Sequence, residues 1–172
     1  MKSFFLTRTV IIIFLLFANV SCDQISKNIA RKHLNPKETI TLLNNRLTLI
    51  KVENTGAFLS LGTDLGQPYK FILLTLMPIV ILIAALFYLI VKTDMSRLTT
   101  WGVCFFIGGG IGNVYDRILY GSVTDFLHLD LIFFETGIFN MADLSITTGV
   151  IILLLGMLRD AHMSTSLQKH DL

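Results

Sequence analysis

Charge is scarce in this chain. Asp, Glu, Lys and Arg make up 15% of its 172 residues against 53% hydrophobic residues, and the formal net charge is +2. The basic residues form no long run, which argues against nucleic acid as a partner. Cysteine is limited to Cys22 and Cys104. Both lie in or beside apolar stretches without metal-ligand spacing, so they read as packing residues rather than a disulfide or a thiolate site. Only three prolines occur, with no low-complexity stretch and no internal repeat, leaving no place for a linker or a second domain. His33, His128, His162 and His170 make no HExxH pair, which disfavours a zinc protease. No GxSxG and no Ser-Lys arrangement supports a serine mechanism. No metal and no cofactor is expected.

What remains is long apolar sequence, with a mean hydropathy of +0.68, which points to a polytopic membrane protein. Four stretches approach the roughly 20 residues needed to cross a bilayer: about 9–29, 69–91, 98–119 and 140–158. Pro78 is expected to kink the second. Lys2 and Arg8, Lys92 and Arg97, and Arg159 and Lys169 fall on one side of a four-span chain. The positive-inside rule makes that side cytoplasmic, so both termini are expected there. Arg31, Lys32 and Lys37 run against the rule.

Two segments then face outward. About 38–65 contains alternating runs at 39–43 and 46–52 broken by Asn44-Asn45, which predicts a β-hairpin or small sheet. About 120–139 is predicted to be an interfacial loop, because the apolar run 129–134 is too short to span. The fold class is therefore a mainly α membrane protein, with four transmembrane helices, a small extracytoplasmic β-segment and an interfacial loop, all in one domain. The N-terminus carries a competing pattern. Basic residues, an apolar run and then NVSC (19–22) imitate a signal ending at a lipid-modified Cys22. Asn19 fits that pattern poorly, and a signal-anchor helix is the better reading.

Carboxylates near a bilayer are costly and are seldom kept without a use. Asp116 lies in GNVYDR (112–117), Asp125 in VTDF (123–126) and Asp143 in FNMAD (139–143). Two converging carboxylates, one protonated and one ionised, are the minimum equipment of an aspartic protease. In an antiparallel pair of spans Asp125 and Asp143 fall at the same outer face, while Asp116 lies inside its span with Arg117 next to it. Position thus favours Asp125 with Asp143. Plainer readings stand beside this one. Asn140 and Asp143 have capping-box spacing, and Asp125 reads equally as an exposed loop carboxylate. Asp23 and Lys27 read as a helix-surface ion pair. Asn113, Asp116 and Arg117 share a face as a structural network, with Arg117 paired to a carboxylate. Asn54-Thr55-Gly56 reads as a turn, with the alternative that the Asn54 amide meets a substrate backbone. Gly108 and Gly112 form a small-xxx-small packing pair.

DQISK (23–27), NTGAF (54–58), GNVYDR (112–117), VTDF (123–126) and FNMAD (139–143), in this order across four spans, resemble bacterial lipoprotein signal peptidase, also called signal peptidase II. The resemblance covers about residues 10–158. It implies an intramembrane aspartic endopeptidase of the bacterial inner membrane, working near the outer face. It would remove signal peptides from prolipoproteins, cutting before a diacylglyceryl-modified cysteine. It also implies Asp125 and Asp143 as the catalytic pair, supported by Asp23, Lys27, Asn54, Gly56, Asn113, Asp116, Arg117, Asn140 and Ala142. Thr124 stands where the family often has an aliphatic residue. The partners expected are such precursors and membrane lipid, with the enzyme itself a monomer. The competing classes are a small ion transporter and a scaffold that binds precursors without cutting them. Asp→Asn changes would abolish ion flux in the first and leave the second largely intact.

Overall fold

A computed structural model describes residues 2–36, 38–57, 61–131 and 133–170. Lys37, Phe58 and Ile132, which fall within the patterns above, and Asp171 and Leu172 in the tail lie outside the described residues. The order is α1 (Lys2–His33), β1 (Thr39–Leu42), β2 (Leu47–Asn54), α2 (Gln67–Phe71), a π-helical turn (Ile72–Leu76), α3 (Met77–Val91), α4 (Arg97–Tyr120), β3 (Val123–Leu129) and α5 (Met141–His170). Among the described residues, three helical segments are long and apolar enough to cross a membrane: Leu6–His33, Gln67–Val91 and Met141–Arg159. The expected stretch 98–119 is also helical. At 24 residues α4 is about 36 Å long, but its glycines and polar C-terminal end dilute its hydropathy.

Gln67–Val91 is continuous but not uniform. Pro78 stands in the first turn of α3, and the Met77 N–H reaches back to the Ile72 carbonyl, an i to i+5 bond. Pro78 has no N–H to return to the preceding turn. A widened π turn directly before it absorbs that mismatch.

Helix α4 packs between α1, α3 and α5. Its glycines set that geometry. A Cβ on Gly108 would collide with Asn19, one on Gly109 with the Ala142 carbonyl and one on Gly112 with the Asp23 carboxylate. The small-xxx-small reading therefore holds, and it has a polar purpose, since Gly112 makes room for a charged side chain. Ile12, Leu82, Cys104, Ile107 and Val114 form the apolar core between α1, α3 and α4. Ser96 caps the start of α4 by accepting from the Thr99 N–H, and Gly121, at φ 71°, ends it in the left-handed conformation, which glycine adopts without strain.

The three strands form one antiparallel sheet in the order β1-β2-β3. The predicted hairpin is present, its turn carried by Leu43, Asn44 and Asn45 at φ 53°, 55° and 66°. The predicted interfacial loop is corrected in part. Its first half is β3, the third strand, which short length and neighbouring helical sequence concealed.

One irregularity decides which side chains share a face. Leu49 pairs with Leu127, but the next pair is Val52 with Asp125, so β2 carries one extra residue. Facing residues alternate with a period of two, and a bulge switches that phase. Beyond it Val52 and Asn54, rather than Lys51 and Glu53, join Val123, Asp125 and Leu127 on one face. Glu53 and Thr124 fall together on the other.

Candidate active site

Asp125 is 3% exposed. It lies on β3 and is not the exposed loop carboxylate that its sequence context allowed. Its Oδ2 accepts from Asn54 Nδ2 at 2.9 Å and its Oδ1 from Asn140 Nδ2 at 2.6 Å. Neither amide is free to turn over. Asn54 Oδ1 accepts the Gly56 N–H at 2.9 Å, and Asn140 Oδ1 accepts the Asp143 N–H at 3.0 Å. Burial pushes the Asp125 carboxyl up to about 6. The amides of Asn54 and Asn140 pull it down and the Asp143 charge adds to the rise.

The expected turn at Asn54 is thus present as an Asx turn. Its amide N–H groups go to Asp125 and to the Ala57 carbonyl (3.1 Å), not to open space. The turn is tied down by Arg117, which donates to the Gly56 carbonyl at 2.9 Å.

Asp143 opens α5, and the plain capping-box reading is correct as geometry. Asn140 receives the Asp143 N–H, and Asp143 Oδ2 receives the Asn140 N–H at 3.2 Å. The cap does more than end a helix. Asn140 touches both carboxylates, and Asp143 Oδ1 accepts from Asn113 Nδ2 at 2.7 Å. Phe139 fixes the approach: its N–H donates to the Leu127 carbonyl and its carbonyl accepts from Phe126 and Leu127. That pins the start of α5 to β3.

Behind these amides lies a charged layer. Lys27 is fully buried, and its ammonium meets Asp23 at 2.8 Å, Asn113 Oδ1 at 3.0 Å and Asp116 at 3.3 Å. Three donors therefore have three acceptors. The expectation of a surface pair between Asp23 and Lys27 is corrected, because both side chains are closed off by α4 and α5. Asp23 also accepts the Ala142 N–H at 2.8 Å, so α1 supplies a second carboxylate to the N-terminus of α5, where the helix dipole favours one. The expectation that Arg117 pairs with a carboxylate is corrected too. The second cation on Asp116, beside Lys27, is Arg31 at 2.7 Å, and Arg117 holds the Gly56 turn.

Both aspartates open into one cavity of about 550 Å³. Asn54, Asn113 and Arg117 share its polar end. Leu73, Met77 and Pro78 on one side and Ile146 on the other line the apolar remainder. Among the described residues no cluster of His, Cys, Asp and Glu could hold a metal.

All the residues singled out from the sequence converge here: Asp125, Asn54 and Gly56 on the sheet side, Asn113, Asp116 and Arg117 on α4, Asp23 and Lys27 on α1, and Asn140, Ala142 and Asp143 at the start of α5. Four participants were missed. Gln24 bridges Asp23 (3.0 Å), Asp116 (3.2 Å) and the Gly112 carbonyl (3.2 Å). Arg31 donates to Thr124 Oγ1 at 2.8 Å and stacks 4.2 Å from the Tyr120 ring. Thr124 in turn donates to Glu53 at 2.9 Å. The spacing of Asp23, Lys27 and Arg31, each four residues on, was the available signal for Arg31. Nothing local marked Glu53, whose facing depends on the bulge.

Residues 10–159 match the family described as Signal peptidase (SPase) II. The Lipoprotein signal peptidase of Streptococcus pneumoniae is 36% identical, over 82% of this chain and 88% of that one. The Lipoprotein signal peptidase of Chlorobium phaeobacteroides is 35% identical, over 90% and 95%. A bacterial membrane enzyme solved in meso at 2.3 Å superposes with a TM-score of 0.77 at 27% identity, over 87% of this chain and 88% of that one.

Proposed function

The chain belongs to the signal peptidase II family, and we propose that it cuts the signal peptide from prolipoproteins with Asp125 and Asp143 as its catalytic pair. One observation carries the assignment of residues: the two carboxylates open into the same cavity and share one asparagine, Asn140.

Asp143 works as the carboxylate. It lies in the first turn of α5, where the helix N-terminus favours negative charge, and accepts the Asn140 backbone N–H there. It takes a proton from a water molecule, which attacks the scissile carbonyl. Asp125, the more deeply buried of the two, carries the proton and donates it to the carbonyl oxygen. The roles then exchange as the tetrahedral intermediate collapses. No covalent intermediate forms.

The bond cut lies on the amino side of a diacylglyceryl-modified cysteine. The acyl chains stay in hydrocarbon while the peptide bond reaches the polar end of the cavity. All four long helical segments, α4 included, cross the bacterial inner membrane. Both termini are cytoplasmic, the sheet and the site lie at the outer face, and the enzyme works as a monomer. The sheet face that carries Asp125 also presents Ile40, Leu42, Leu47 and Leu49, which makes it a cradle for the extended peptide, with 130–139 as the lid. Deleting 38–52 without loss of activity in a folded protein would refute the cradle.

The test is cleavage of a diacylglyceryl prolipoprotein in detergent or liposomes by wild type, Asp125→Asn and Asp143→Asn. Folded but inactive variants support the pair. Near-normal activity in either removes that residue from the mechanism.

A further inference from the structure

A smaller cavity of about 140 Å³ adjoins the one that holds the aspartates. Arg117 and Leu74 line both. Two helical segments agree on its direction. Along α4 the aspartate cavity runs from Gly110 to Arg117, and the small one from Arg117 to Gly121. Along Gln67–Val91 the first takes Leu73 to Pro78, and the second Gln67 to Thr75. The small cavity therefore continues the large one toward the sheet, about 6 Å further at 1.5 Å per residue.

Its lining is basic. Lys70 and Arg117 belong to it, and no Asp or Glu does. Among the described residues Lys70 has no ion pair and no hydrogen bond. Arg117 donates to the Gly56 carbonyl at 2.9 Å and more loosely to the Asn113 carbonyl at 3.5 Å, so the rest of its fork is open. Thr75 is an independent sign of a polar occupant. It is 6% exposed, it lines this cavity, and its hydroxyl has no partner among the described residues. A helical threonine ordinarily returns its hydroxyl to a carbonyl of the preceding turn, and a buried polar group without a partner is costly. The C-terminal end of α4 alone would repel an anion, but Lys70 and Arg117 set two full positive charges against about half a negative one. The site therefore suits one anionic side chain.

We propose that this cavity receives the side chain that follows the modified cysteine of the substrate, and that it selects Asp or Glu there. The inference rests on the proteolytic reading above. The signal helix rises through the bilayer to the aspartates, so the residues beyond the scissile bond leave toward the sheet. That is the direction the small cavity takes. An extended chain advances about 3.3 Å per residue, so about 6 Å beyond the aspartates lies the second residue past the bond, the one after the cysteine. Its carboxylate meets Lys70 and Arg117 and accepts the Thr75 hydroxyl. Arg117 also pins the Gly56 turn that orients Asn54 on Asp125. An acid seated here is thus held by the same guanidinium that steadies the catalytic amide.

The experiment measures kcat/KM in micelles for one diacylglyceryl prolipoprotein carrying Asp, Asn or Lys after the cysteine, cut by wild type, Lys70→Met and Lys70→Glu. The readout is the ratio between substrates within each enzyme, which a general loss of activity or stability does not move. Wild type should favour Asp over Asn by ~5-fold, the scale of a partly exposed ion pair. Lys70→Met should erase most of that preference, and Lys70→Glu should turn it toward Lys. Equal cleavage of the Asp and Asn forms by wild type overturns the proposal, whatever the variants do. A preference for Asp that survives in both Lys70 variants also overturns it, because the charge is then read elsewhere. With wild type alone, moving the Asp several positions further along should abolish its advantage. An advantage that travels with it reports long-range attraction and overturns the pocket. Rates that follow the fraction of anionic lipid in mixed micelles through Lys70, whatever the substrate, would overturn the proposal and assign the cavity to a lipid phosphate. If wild type cuts none of the three forms, it is the proteolytic reading itself that fails.

Discussion

Asn54→Ala should move the pH profile of cleavage upward. Asn54 donates to Asp125 Oδ2 at 2.9 Å, and the Gly56 N–H locks the amide in that direction. A hydrogen bond to a charged group contributes about 1.5–3 kcal/mol. Losing it favours the protonated form of Asp125, and 1.36 kcal/mol corresponds to one pKa unit. The carboxyl, already pushed up to about 6 by burial, should therefore rise by about 1–2 units in the variant. Asp125 must hold the proton to act as general acid, so activity falls as pH rises through its value. In Asn54→Ala that falling limb should shift from near 6 to about 7–8, even as the maximum rate drops because the Asx turn is weakened. The assay is kcat/KM for a diacylglyceryl prolipoprotein in micelles, from about pH 5 to about pH 9. The limb reports the aspartate pair rather than one isolated group, but its direction of travel is unambiguous. A profile that keeps its shape while losing height, or a limb that moves down, refutes the assignment of the proton to Asp125.

Lys27→Met should destabilise the folded protein by about 3–5 kcal/mol, because Asp23 is left buried without its cation while Asp116 keeps Arg31; a thermal midpoint in detergent equal to wild type would contradict this. Gly112→Val should lose activity and stability together, since its side chain meets the Asp23 carboxylate and Ala142, whereas Gly121→Ala meets nothing nearby and should cost only the roughly 1 kcal/mol of a left-handed residue. Deleting Ile50 should remove the bulge and still leave Val52 and Asn54 opposite Asp125 and Val123, so cleavage should survive in a protein whose helical circular dichroism is intact; an inactive but folded deletion would contradict the register argument. The Asp125 carboxyl is raised from 3.8 to about 6 in the fold, so its contribution to stability is full below about pH 4 and is lost as pH rises toward 6, a change of at most about 3 kcal/mol; melting temperatures that rise over this window in wild type but not in Asp125→Asn would be the wrong sign.

Much of this was legible in the chain because local rules write it there. Apolar run length marked the helices, and Asn44-Asn45 marked the hairpin. The five polar motifs contain each carboxylate and side-chain amide that opens on the cavity and, Arg31 excepted, the polar residues that support them from α1 and α4. What was not legible depends on tertiary phase. β3 is seven residues long and directly follows a helix, so its alternation was masked by a loop-like context. Whether Glu53 or Asn54 faces the aspartates is decided by one extra residue in β2, which no periodicity announces in advance. Asp23 and Lys27 have ordinary surface-pair spacing. Only the close approach that Gly112 permits buries them.

The arrangement of charge around the aspartates follows one logic. Cations are present, yet none of the ammonium or guanidinium hydrogen bonds or ion pairs described goes to Asp125 or Asp143. The direct partners of both carboxylates are neutral: the Asn54, Asn113 and Asn140 amides and the Asn140 backbone. Lys27 acts one step back, by fixing the Asn113 carbonyl oxygen so that its amide nitrogen must point at Asp143. A cation in direct contact would hold its partner ionised and depress its affinity for a proton, stopping the exchange that the two carboxylates must complete in each turnover. An oriented amide holds a carboxylate in place with a weaker bias toward the ionised form. The buried lysine and the three asparagines thus divide the work: the charge fixes geometry from behind, and the amides transmit it without fixing where the proton resides.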